Sequence, residues 1–417
     1  MRINLLEESD KIEHTIAWYQ EFLNNPNNRV YISLNKIHEF EDIYKKELQI
    51  HLADTQEYIN ELLGRTVSFD PNSQLQVKKL FLKELKIPYE LLLENGKVSI
   101  SLEVLELLTL IYDFDFLNSL MHYRKALNNL QYLRQFNRQS NFKLKNIDGH
   151  DLLVVVPKYT RHRTNRFNTS NPPIQNIPKS LKGIITCPNG YKIVQADSSQ
   201  IEPRLFYSLV VKDYLINEYL IDIADTYEAL ITYCLDRVGI PQESNLRKKI
   251  LEERRTYKII INAAHYGAGR NYLTSVDREI GEIVFNHLVN HPKRQEYVNI
   301  CKAIFQKRNY VKTGFGDNIE VDKTDIGKMA LYGINYTIQG TSSALTAIGV
   351  KAITQDIEEM NWQKYVKYSF NKHDEDIYVV HENKVDYVSE RVRNSRSFNC
   401  NEWHTIDADV KIGDYYS

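Results

Sequence analysis

The sequence feature that most constrains the fold is a row of three acidic residues between two strand-forming runs. The runs YVKYSF (365–370) and DIYVV (376–380) flank the four-residue turn NKHD and a glutamate, which brings Asp374, Glu375 and Asp376 together. Turn residues between two β-branched and aromatic runs predict a β-hairpin. Like charges at the mouth of a buried strand repel one another and are costly to bury. The cluster is therefore either a solvated polar turn or the binding site of a cation.

A second carboxylate ends another predicted strand, YKIVQAD (191–197), which continues into QIEPRLFYSLV. Because proline is tolerated only in the first turn of a helix, Pro203 predicts a helix that begins within a few residues of Asp197. If this strand lies beside the hairpin, Asp197 and Asp374 meet at one sheet edge. Carboxylate oxygens are ligands for Mg²⁺, and two metals about 3.5–4 Å apart bind both reacting oxygens of a phosphoryl transfer. Taken singly, each aspartate has the more ordinary explanation of a turn or cap residue.

Helical periodicity covers most of the remaining chain. The segment 33–63 has apolar residues at helical spacing and is followed by Gly64, whereas DLLVVVPKY is a predicted strand that Pro157 stops. Further helices are predicted at 73–86, 101–112, 118–136 and through most of 213–305. Helix-rich segments around a small antiparallel sheet indicate the α+β class.

Charge is distributed unevenly along the chain, although the net charge is only −1. Residues 1–120 carry 12 Lys and Arg against 20 Asp and Glu, whereas residues 121–182 carry 12 against 2 and residues 245–272 carry 7 against 2. Basic blocks of this kind either face phosphates or form a solvated surface. Four scattered cysteines, an acidic start and the lack of a long apolar run predict a cytoplasmic protein with reduced thiols and no membrane partner.

The stretch RRTYKIIINAAHYGAG (254–269) places Arg254, Lys258, Asn262 and Tyr266 four residues apart. On a helix these residues share one face. Two cations on that face would bind the triphosphate of an incoming nucleotide opposite two metals. A solvated basic stripe is the alternative explanation of the charge pattern.

Three segments resemble, in order, motifs A, B and C of family A DNA polymerases, the DNA polymerase I type, which read roughly DYSQIELR, R-x3-K-x7-YG and HDE. They are ADSSQIEPR (196–204), RRTYKIIINAAHYG (254–267) and KHDE (372–375). The segments that resemble other parts of the family, including its thumb, are TNRFNTSNPPIQNIP (164–178), INYTIQGTSS (334–343), SFDPNSQLQVKKLF (68–81) and VSISLEVLELL (98–108). Several such motifs in one order make coincidence a poor explanation.

The resemblance implies a right-hand polymerase with a small antiparallel palm sheet and helix-rich fingers and thumb. The domain boundaries expected from it are an N-terminal lead (1–27), a thumb (28–150), a first palm part (151–205), fingers (206–330) and a second palm part (331–417). The implied activity is template-directed addition of dNTPs to a primer 3′ end by two-metal-ion nucleotidyl transfer. The implied cofactor is a pair of Mg²⁺ ions, and the implied partners are primer-template DNA and dNTPs.

The same resemblance assigns roles to individual residues. Asp197 and Asp374 are the metal-binding catalytic carboxylates, the backbone carbonyl of Ser198 completes the metal site, and Glu375 acts beside them. Residues implied in nucleotide binding are Arg254, Lys258 (also a proton donor to pyrophosphate), Asn262, Tyr266, Gln200, Glu202 and Tyr227. Residues implied in DNA binding are Arg166, Gln175, Asn176, Asn335, Gln339, His373 and Arg204. Glu202 matches the residue that excludes a 2′-hydroxyl, whereas Asp376 has no counterpart and is interpreted as a plain turn residue.

Five positions depart from the family pattern and bear on nucleotide affinity and fidelity. Asn262 replaces an aromatic residue, Ala263 a glycine, Tyr227 a phosphate-contacting histidine, Leu331 an arginine and Ser198 an aromatic residue. Two other classes therefore stay open. One is a single-subunit RNA polymerase, against which Glu202 argues, and the other is a catalytically weak polymerase-like DNA-binding protein.

The thumb-like segments begin near residue 28, so we expect no exonuclease or 5′ nuclease domain before them. A chain of this kind is typical of a phage, plasmid or other mobile-element polymerase. Such an enzyme would work with a separately encoded exonuclease or processivity factor.

Overall fold

The computed structural model describes residues 3–4, 12–94, 97–138, 142–147, 149–308, 310–320, 326–399 and 405–417. Cys400 and the side chain of Leu331, both considered above, lie outside what it describes. The chain divides into two compact units. The first unit comprises Met1–Leu34, Ser140–Tyr233 and Val289–Ser417, and the second comprises Asn35–Gln139 and Cys234–Leu288. This division follows packing alone, and the boundaries of thumb, palm and fingers stay a prediction.

The described segments are short strands and mostly short helices. In chain order the strands are β1 (Ile3–Asn4), β2 (Val30–Ser33), β3 (Leu93–Glu94), β4 (Lys97–Val98), β5 (Lys143–Ile147), β6 (His150–Val155), β7 (Lys158–Arg161), β8 (Phe167–Ser170), β9 (Ile185–Thr186), β10 (Tyr191–Ser198), β11 (Tyr310–Lys312), β12 (Asn318–Glu320), β13 (Val366–Lys372), β14 (Glu375–His381), β15 (Phe398–Asn399), β16 (Thr405–Ile406) and β17 (Ala408–Gly413). The α-helices are α1 (Ile12–Leu23), α2 (Leu34–Leu63), α3 (Gln74–Lys79), α4 (Leu102–Ile111), α5 (Asp115–Arg138), α6 (Ile201–Phe206), α7 (Tyr214–Asp222), α8 (Thr226–Val238), α9 (Asn245–Glu252), α10 (Arg254–His265), α11 (Arg270–Val276), α12 (Arg278–Val284), α13 (Pro292–Lys307), α14 (Ile326–Glu359) and α15 (Val385–Arg396).

The centre of the first unit is a four-stranded antiparallel sheet with strand order β13-β14-β10-β17. The predicted hairpin is present, but its turn is shorter than expected. Strand pairing continues to Lys372 opposite Glu375, so that only His373 and Asp374 form the turn. Strands β10 and β14 are buried over most of their length, because apolar residues face both sides of the sheet.

Helices α14 and α15 pack against one another in the first unit, and α15 covers β10 and β17. Gly349 on α14 allows this close approach. A Cβ atom at that position would lie 2.6 Å from the main-chain oxygen of Ser395 and 2.9 Å from the side chain of Arg396. The absence of a side chain at residue 349 therefore brings α14 onto the end of α15.

A second four-stranded sheet in the first unit has the order β5-β6-β2-β9. Strand β6 ends at Val155, and Pro157 separates it from β7, as the sequence predicts. The helix after β10 also begins as predicted. It starts at Ile201, which puts Pro203 in its first turn, where the missing N–H is not needed.

The second unit is mainly helical, as predicted for the first third of the chain. Helix α2 runs from Leu34 to Leu63 and is followed by Gly64 with a positive φ of 61°. Ser73 and Ser101 cap α3 and α4 by accepting hydrogen bonds from backbone N–H groups. The helix predicted at 118–136 is longer and begins at Asp115. In the part of the chain that is described, no helix has the length and apolar character needed to cross a membrane.

Candidate active site

The register of the central sheet brings the two predicted carboxylates to one place. Strand β10 pairs antiparallel with β14, with Asp197 opposite Glu375. The backbone N–H of Ser198 donates to the main-chain oxygen of Asp374 at 3.4 Å. The end of β10 and the turn of the hairpin are thus joined directly. Asp197 and Asp374 lie at neighbouring strand ends. The sequence predicted this arrangement only on the condition that the two strands are neighbours.

Negative charge is concentrated around Asp197. Glu375 lies opposite it on β14 and Asp409 lies opposite it on β17. Desolvation of its carboxylate, together with the negative charges of Glu375 and Asp374, raises the pKa of Asp197 to about 6. Although the residue as a whole is exposed, this shift shows that its ionised form is disfavoured among its neighbours. A bound cation would relieve that repulsion.

Asp374 is held by residues from two other elements. The hydroxyl of Ser342 on α14 donates to its Oδ1 at 2.6 Å, and Nη2 of Arg166 lies 3.9 Å from its Oδ2. Its side chain is 22% exposed, so the carboxylate still faces solvent. Asp374 is therefore both oriented and accessible.

Glu375 is directed toward the C-terminal segment. Its Oε2 accepts a hydrogen bond from the hydroxyl of Tyr416 at 2.5 Å and lies 3.9 Å from Nζ of Lys182. Tyr416 is buried. These contacts place Glu375 beside the two aspartates but engage one of its carboxylate oxygens inside the protein.

His373 occupies the first position of the hairpin turn with a φ of 58°, in the left-handed region. A residue other than glycine in this region is strained unless its surroundings fix it. Desolvation and the positive charge of Arg166 lower the pKa of His373, which favours the neutral ring at pH 7. The ring is exposed next to Asp374.

Glu202 lies in the first turn of α6 and forms an ion pair with Nη2 of Arg166. Because Arg166 also approaches Asp374, one guanidinium joins the start of α6 to the hairpin turn. Glu202 is only 18% exposed in its side chain. It is thus part of the sheet-edge cluster and differs from a solvated helix-terminal glutamate.

Gln200 and Tyr227 lie close to this cluster in the fold. Gln200 has a φ of 50°, and its Oε1 accepts a hydrogen bond from the backbone N–H of Thr226 at 2.8 Å. Tyr227 follows Thr226 at the start of α8 and is buried, with 7% of its surface exposed. The side chain of Tyr227 therefore has little exposed surface with which to contact a phosphate.

The residues implied in DNA binding are placed differently from one another. Gln175 is buried, and its amide bonds to backbone groups of Phe167 and Thr169. Asn176 beside it is exposed. Nη2 of Arg204 donates to the carbonyl of Ala224 at 2.7 Å. Gln175 thus shapes this loop from inside, whereas Asn176 can reach a ligand.

Helix α14 carries Asn335 and Gln339, both half-buried. Residues four and three apart lie on one helix face, so these side chains share a face with Ser342. Because Ser342 donates to Asp374, that face looks onto the hairpin turn. The two amides are therefore on the side of the catalytic carboxylate.

Helix α10 in the second unit carries the basic face predicted from the sequence. Tyr257, Ile260 and Ile261 are buried in the unit. On the opposite face Arg254 is exposed, Lys258 and Asn262 are half-buried, and Tyr266 is 47% exposed. The helix ends at His265, Tyr266 is its C-cap residue, and Gly267 follows with a φ of 90°. The predicted helical spacing therefore holds for Arg254, Lys258 and Asn262, whereas Tyr266 lies just beyond the helix.

Sequence reasoning missed the groups that lie behind the hairpin turn. The interpretation of Asp376 as a plain turn residue is wrong, because it lies in β14, is fully buried and pairs with Arg396. Its position at the start of the run DIYVV was a signal, since that run is a strand covered on both faces. Ser342 lies within the segment INYTIQGTSS, but no role was predicted for it, and nothing in the sequence pointed to Arg396 or Tyr416; all three reach the site from other elements.

The donor set at the sheet edge suits a hard divalent cation. Carboxylates of Asp197 and Asp374 and the adjacent main chain of Ser198 supply oxygen atoms only, the ligands that Mg²⁺ prefers. The raised pKa of Asp197 marks a pair whose repulsion a cation would relieve. Among the described residues, no group of three or more His, Cys, Asp or Glu side chains is arranged to hold a metal ion. The fit therefore rests on the two aspartates and main-chain oxygen.

An antiparallel palm-like sheet with paired aspartates at its edge, flanked by long helices, defines the class of right-hand polymerases. The model of DNA polymerase family A matches residues 38–417. The chain belongs to DNA polymerase family A. Members of this family generally use divalent metals.

Two curated relatives are DNA polymerase I of Pseudomonas aeruginosa and DNA polymerase I of Rhizobium leguminosarum. The first is 26% identical over 246 residues, which are 55% of this chain and 26% of the relative. The second is 26% identical over 238 residues, which are 54% of this chain and 23% of the relative. The matched part thus spans about a quarter of the length of these relatives.

Among solved structures, this fold is similar to the POL domain of Pol1 from M. smegmatis, in complex with DNA primer-template and dNTP. The TM-score is 0.74 with 16% sequence identity, and the match covers 97% of this chain and 70% of that chain. The likeness establishes the polymerase fold.

Proposed function

We propose that this chain is a template-directed DNA polymerase that adds dNTPs to a primer 3′ end by two-metal-ion nucleotidyl transfer. The observation that carries the proposal is the register of β10 against β14, which brings Asp197 and Asp374 to one edge of the sheet. Family membership and the similarity to DNA polymerase I relatives support the same proposal.

Asp197, Asp374 and the main-chain carbonyl of Ser198 would hold two Mg²⁺ ions. When bound, such ions lower the pKa of an attacking hydroxyl and neutralise the charge that develops on the phosphates. Ser342 orients Asp374 through its hydroxyl, so that this carboxylate keeps one direction before the substrate arrives. Desolvation and the negative charges of its neighbours raise the pKa of Asp197, and a bound cation would offset that repulsion.

Arg254 and Lys258 on α10 would bind the triphosphate, and Lys258 would donate a proton to the leaving pyrophosphate. The support is the helix itself, since both cations lie on its outward face four residues apart. Asn262 and Tyr266 continue that face and would contact the sugar and the base. Gln200, which precedes α6, and Tyr227, at the start of α8, would also contribute to nucleotide binding.

Glu202 would exclude ribonucleotides. Its partly buried carboxylate is fixed by Arg166 at the start of α6, close to Asp374. A fixed carboxylate packed against C2′ leaves no volume for a hydroxyl, whereas a solvated one would move away. The ion pair with Arg166 therefore supports selection of deoxynucleotides and argues against a single-subunit RNA polymerase.

Primer and template would be bound by Arg166, Asn176, Arg204, Asn335, Gln339 and His373, and the buried Gln175 would support the loop that presents Asn176. Of these, Asn335 and Gln339 lie on the face of α14 that looks onto the hairpin. Contacts of amide side chains in the minor groove are nearly independent of sequence, because the acceptors there are similar for every base pair. The basic block 121–182 would add phosphate contacts.

Primer extension tests the proposal. The 417-residue chain is incubated with a 5′-labelled primer on a longer template, with all four dNTPs or all four NTPs, with Mg²⁺ or with EDTA. We expect extension to the end of the template with dNTPs and Mg²⁺ alone. Binding of the primer-template without extension under any metal condition would instead establish the DNA-binding alternative, and comparable extension with NTPs would establish the RNA polymerase alternative.

A further inference from the structure

Asp376 and Arg396 form an ion pair in the interior of the first unit. Both residues are 0% exposed, and Nε of Arg396 lies 3.1 Å from Oδ2 of Asp376. Taking two charges out of water costs more than their attraction returns unless every polar atom is satisfied, and apolar residues of similar volume are often at least as stable. Nη1 of Arg396 has no hydrogen-bond partner in the described structure. Stability alone therefore does not explain the pair.

The guanidinium of Arg396 reaches the backbone of the catalytic turn. Its Nη2 donates to the main-chain oxygen of Asp374 at 2.6 Å. The main-chain oxygen of Arg396 accepts a hydrogen bond from the hydroxyl of Ser198 at 3.2 Å. The last residue of α15 thus binds the two strand ends that carry Asp374 and Asp197.

Asn371 secures the residues on either side of Asp374. Its side-chain amide donates to the main-chain oxygens of His373 at 2.9 Å and Glu375 at 3.2 Å. The same amide lies 3.2 Å from Oδ1 of Asp376. The main-chain carbonyls of the two turn residues and of Glu375 therefore accept hydrogen bonds from two buried side chains, and both of those side chains also contact Asp376.

Two tyrosines complete the surroundings of Asp376. Tyr368 on β13 donates its hydroxyl to Oδ1 at 2.8 Å, and Tyr19 on α1 does so at 3.4 Å. These contacts fix the carboxylate from the side opposite the turn. His373, with its left-handed backbone, gains the fixed surroundings that such a conformation requires.

We propose that Asp376, Arg396 and Asn371 are positioning residues that fix the backbone of the His373–Asp374 turn and thereby the direction of the Asp374 carboxylate toward the metals. The inference rests on the proposed function for its catalytic consequence, but its effect on metal binding is independent of turnover. None of these three residues is among those proposed to bind the substrate or the metals. Their role is to prevent the turn, which is bounded by only two strands, from adopting other backbone conformations.

The test uses the double substitution Asp376→Asn with Arg396→Met. It removes both buried charges and keeps side-chain volume, and the asparagine oxygen still accepts from Tyr368. Among the main-chain oxygens of residues 373 to 375, only that of Asp374 loses its hydrogen-bond donor, which is the charged guanidinium of Arg396. Since a displacement of about 1 Å at a reacting group costs on the order of 10²-fold in rate, we expect kcat for primer extension to fall at least about 10-fold.

Three further measurements separate positioning from stability. We expect the KM for dNTPs to stay within about 3-fold, and the Mg²⁺ concentration for half-maximal rate to rise by at least about 3-fold, because a misdirected carboxylate binds the ions less well. The affinity for Mn²⁺, read from the EPR signal of the free ion, should fall by a similar factor. The matched control is Val392→Ala, which creates a cavity at a buried position of the same helix, away from the turn. It should lower Tm without changing the metal requirement.

A second variant tests the same proposal if the protein with the double substitution does not fold. Asn371→Ser keeps the ion pair and removes the donors to residues 373 and 375, so it should raise the Mg²⁺ requirement and weaken Mn²⁺ binding in the same direction. If the folded variants keep the wild-type kcat, metal requirement and Mn²⁺ affinity, the positioning role is wrong. If the wild-type chain binds Mn²⁺ but extends no primer, the proposed function fails, and the Mn²⁺ affinities of the variants still decide the positioning role.

Discussion

The sheet edge of the first unit and helix α10 of the second unit both carry charged residues in recognisable motifs, but they are built differently. At the sheet edge, Asp374 and its neighbours are held from behind by two buried polar side chains, Asn371 next to the turn and Arg396 from 22 residues away. On α10, Arg254 and Lys258 lie four residues apart on one helix, on the face opposite its buried apolar residues. The sheet edge fixes the positions of its carboxylates, whereas α10 provides positive charge on one helix face.

This difference predicts where substitutions act. A change at the sheet edge should alter the chemical step, because it moves or removes a group whose direction matters to a fraction of an ångström. A change on α10 should act through the binding of the nucleotide, because a flexible cation tolerates displacement.

The largest effect is expected from loss of a metal-binding carboxylate. Asp197→Asn or Asp374→Asn should each lower the rate of primer extension by at least about 10³-fold, because a neutral amide binds the divalent ions that stabilise the transferred charge far more weakly than a carboxylate does. DNA affinity should stay within a few-fold in both variants. Asp414→Asn, at an exposed carboxylate that pairs with Lys192, is the control and should retain activity. Substantial turnover by either active-site variant would contradict the assignment.

A smaller but specific effect is expected at Glu202. Glu202→Ala should raise kcat/KM for rCTP by about 10²-fold relative to dCTP, since a clash of this kind is felt in the reacting geometry. The exposed Glu228, in the first turn of α8, provides the matched Glu→Ala control. An unchanged dCTP to rCTP ratio in Glu202→Ala would remove Glu202 as the residue that selects the sugar.

On α10 the expected effect lies in KM. Asn262→Tyr and Asn262→Phe restore a ring next to the sugar, and they should lower the KM for dNTPs by about 3- to 10-fold, since stacking on a ring contributes about 1 kcal/mol or more. The kcat should change less than KM. Asn271→Tyr, at an exposed position of α11, is the control. Equal KM values in all variants would show that residue 262 does not occupy the aromatic position of the family.

The smallest effect is expected from the basic block 121–182. Arg134 is exposed on α5, and Lys143 is exposed on β5. If both contact phosphates, Arg134→Glu with Lys143→Glu should reduce the slope of log Kd against log salt by about 1 to 2, because each phosphate contact contributes about 0.9. The reversal Lys36→Glu on α2 is the control. A slope equal to that of the wild-type chain would assign this block to solvent.

Much of the local structure followed from the sequence because it depends on neighbouring residues. Pro203 places the start of α6, Pro157 separates two strands, and Gly64 ends α2, and each acts through its own backbone conformation. The basic face of α10 likewise follows from residues four apart on one helix. The hairpin was predicted for the same reason, although its turn has two residues because strand pairing extends to Lys372 and Glu375.

By itself the sequence determined which residue types stand at strand ends and helix faces, and through its motifs the family of the chain. Only the tertiary structure decided that Asp197 and Asp374 adjoin, that Glu202 pairs with Arg166, and that Arg396 holds the turn from 22 residues away. Short-range periodicity carries no information about which strands become neighbours or which buried charge pairs with which. Those choices are made when the whole core packs, since a buried polar group is stable only where its partners from other segments arrive.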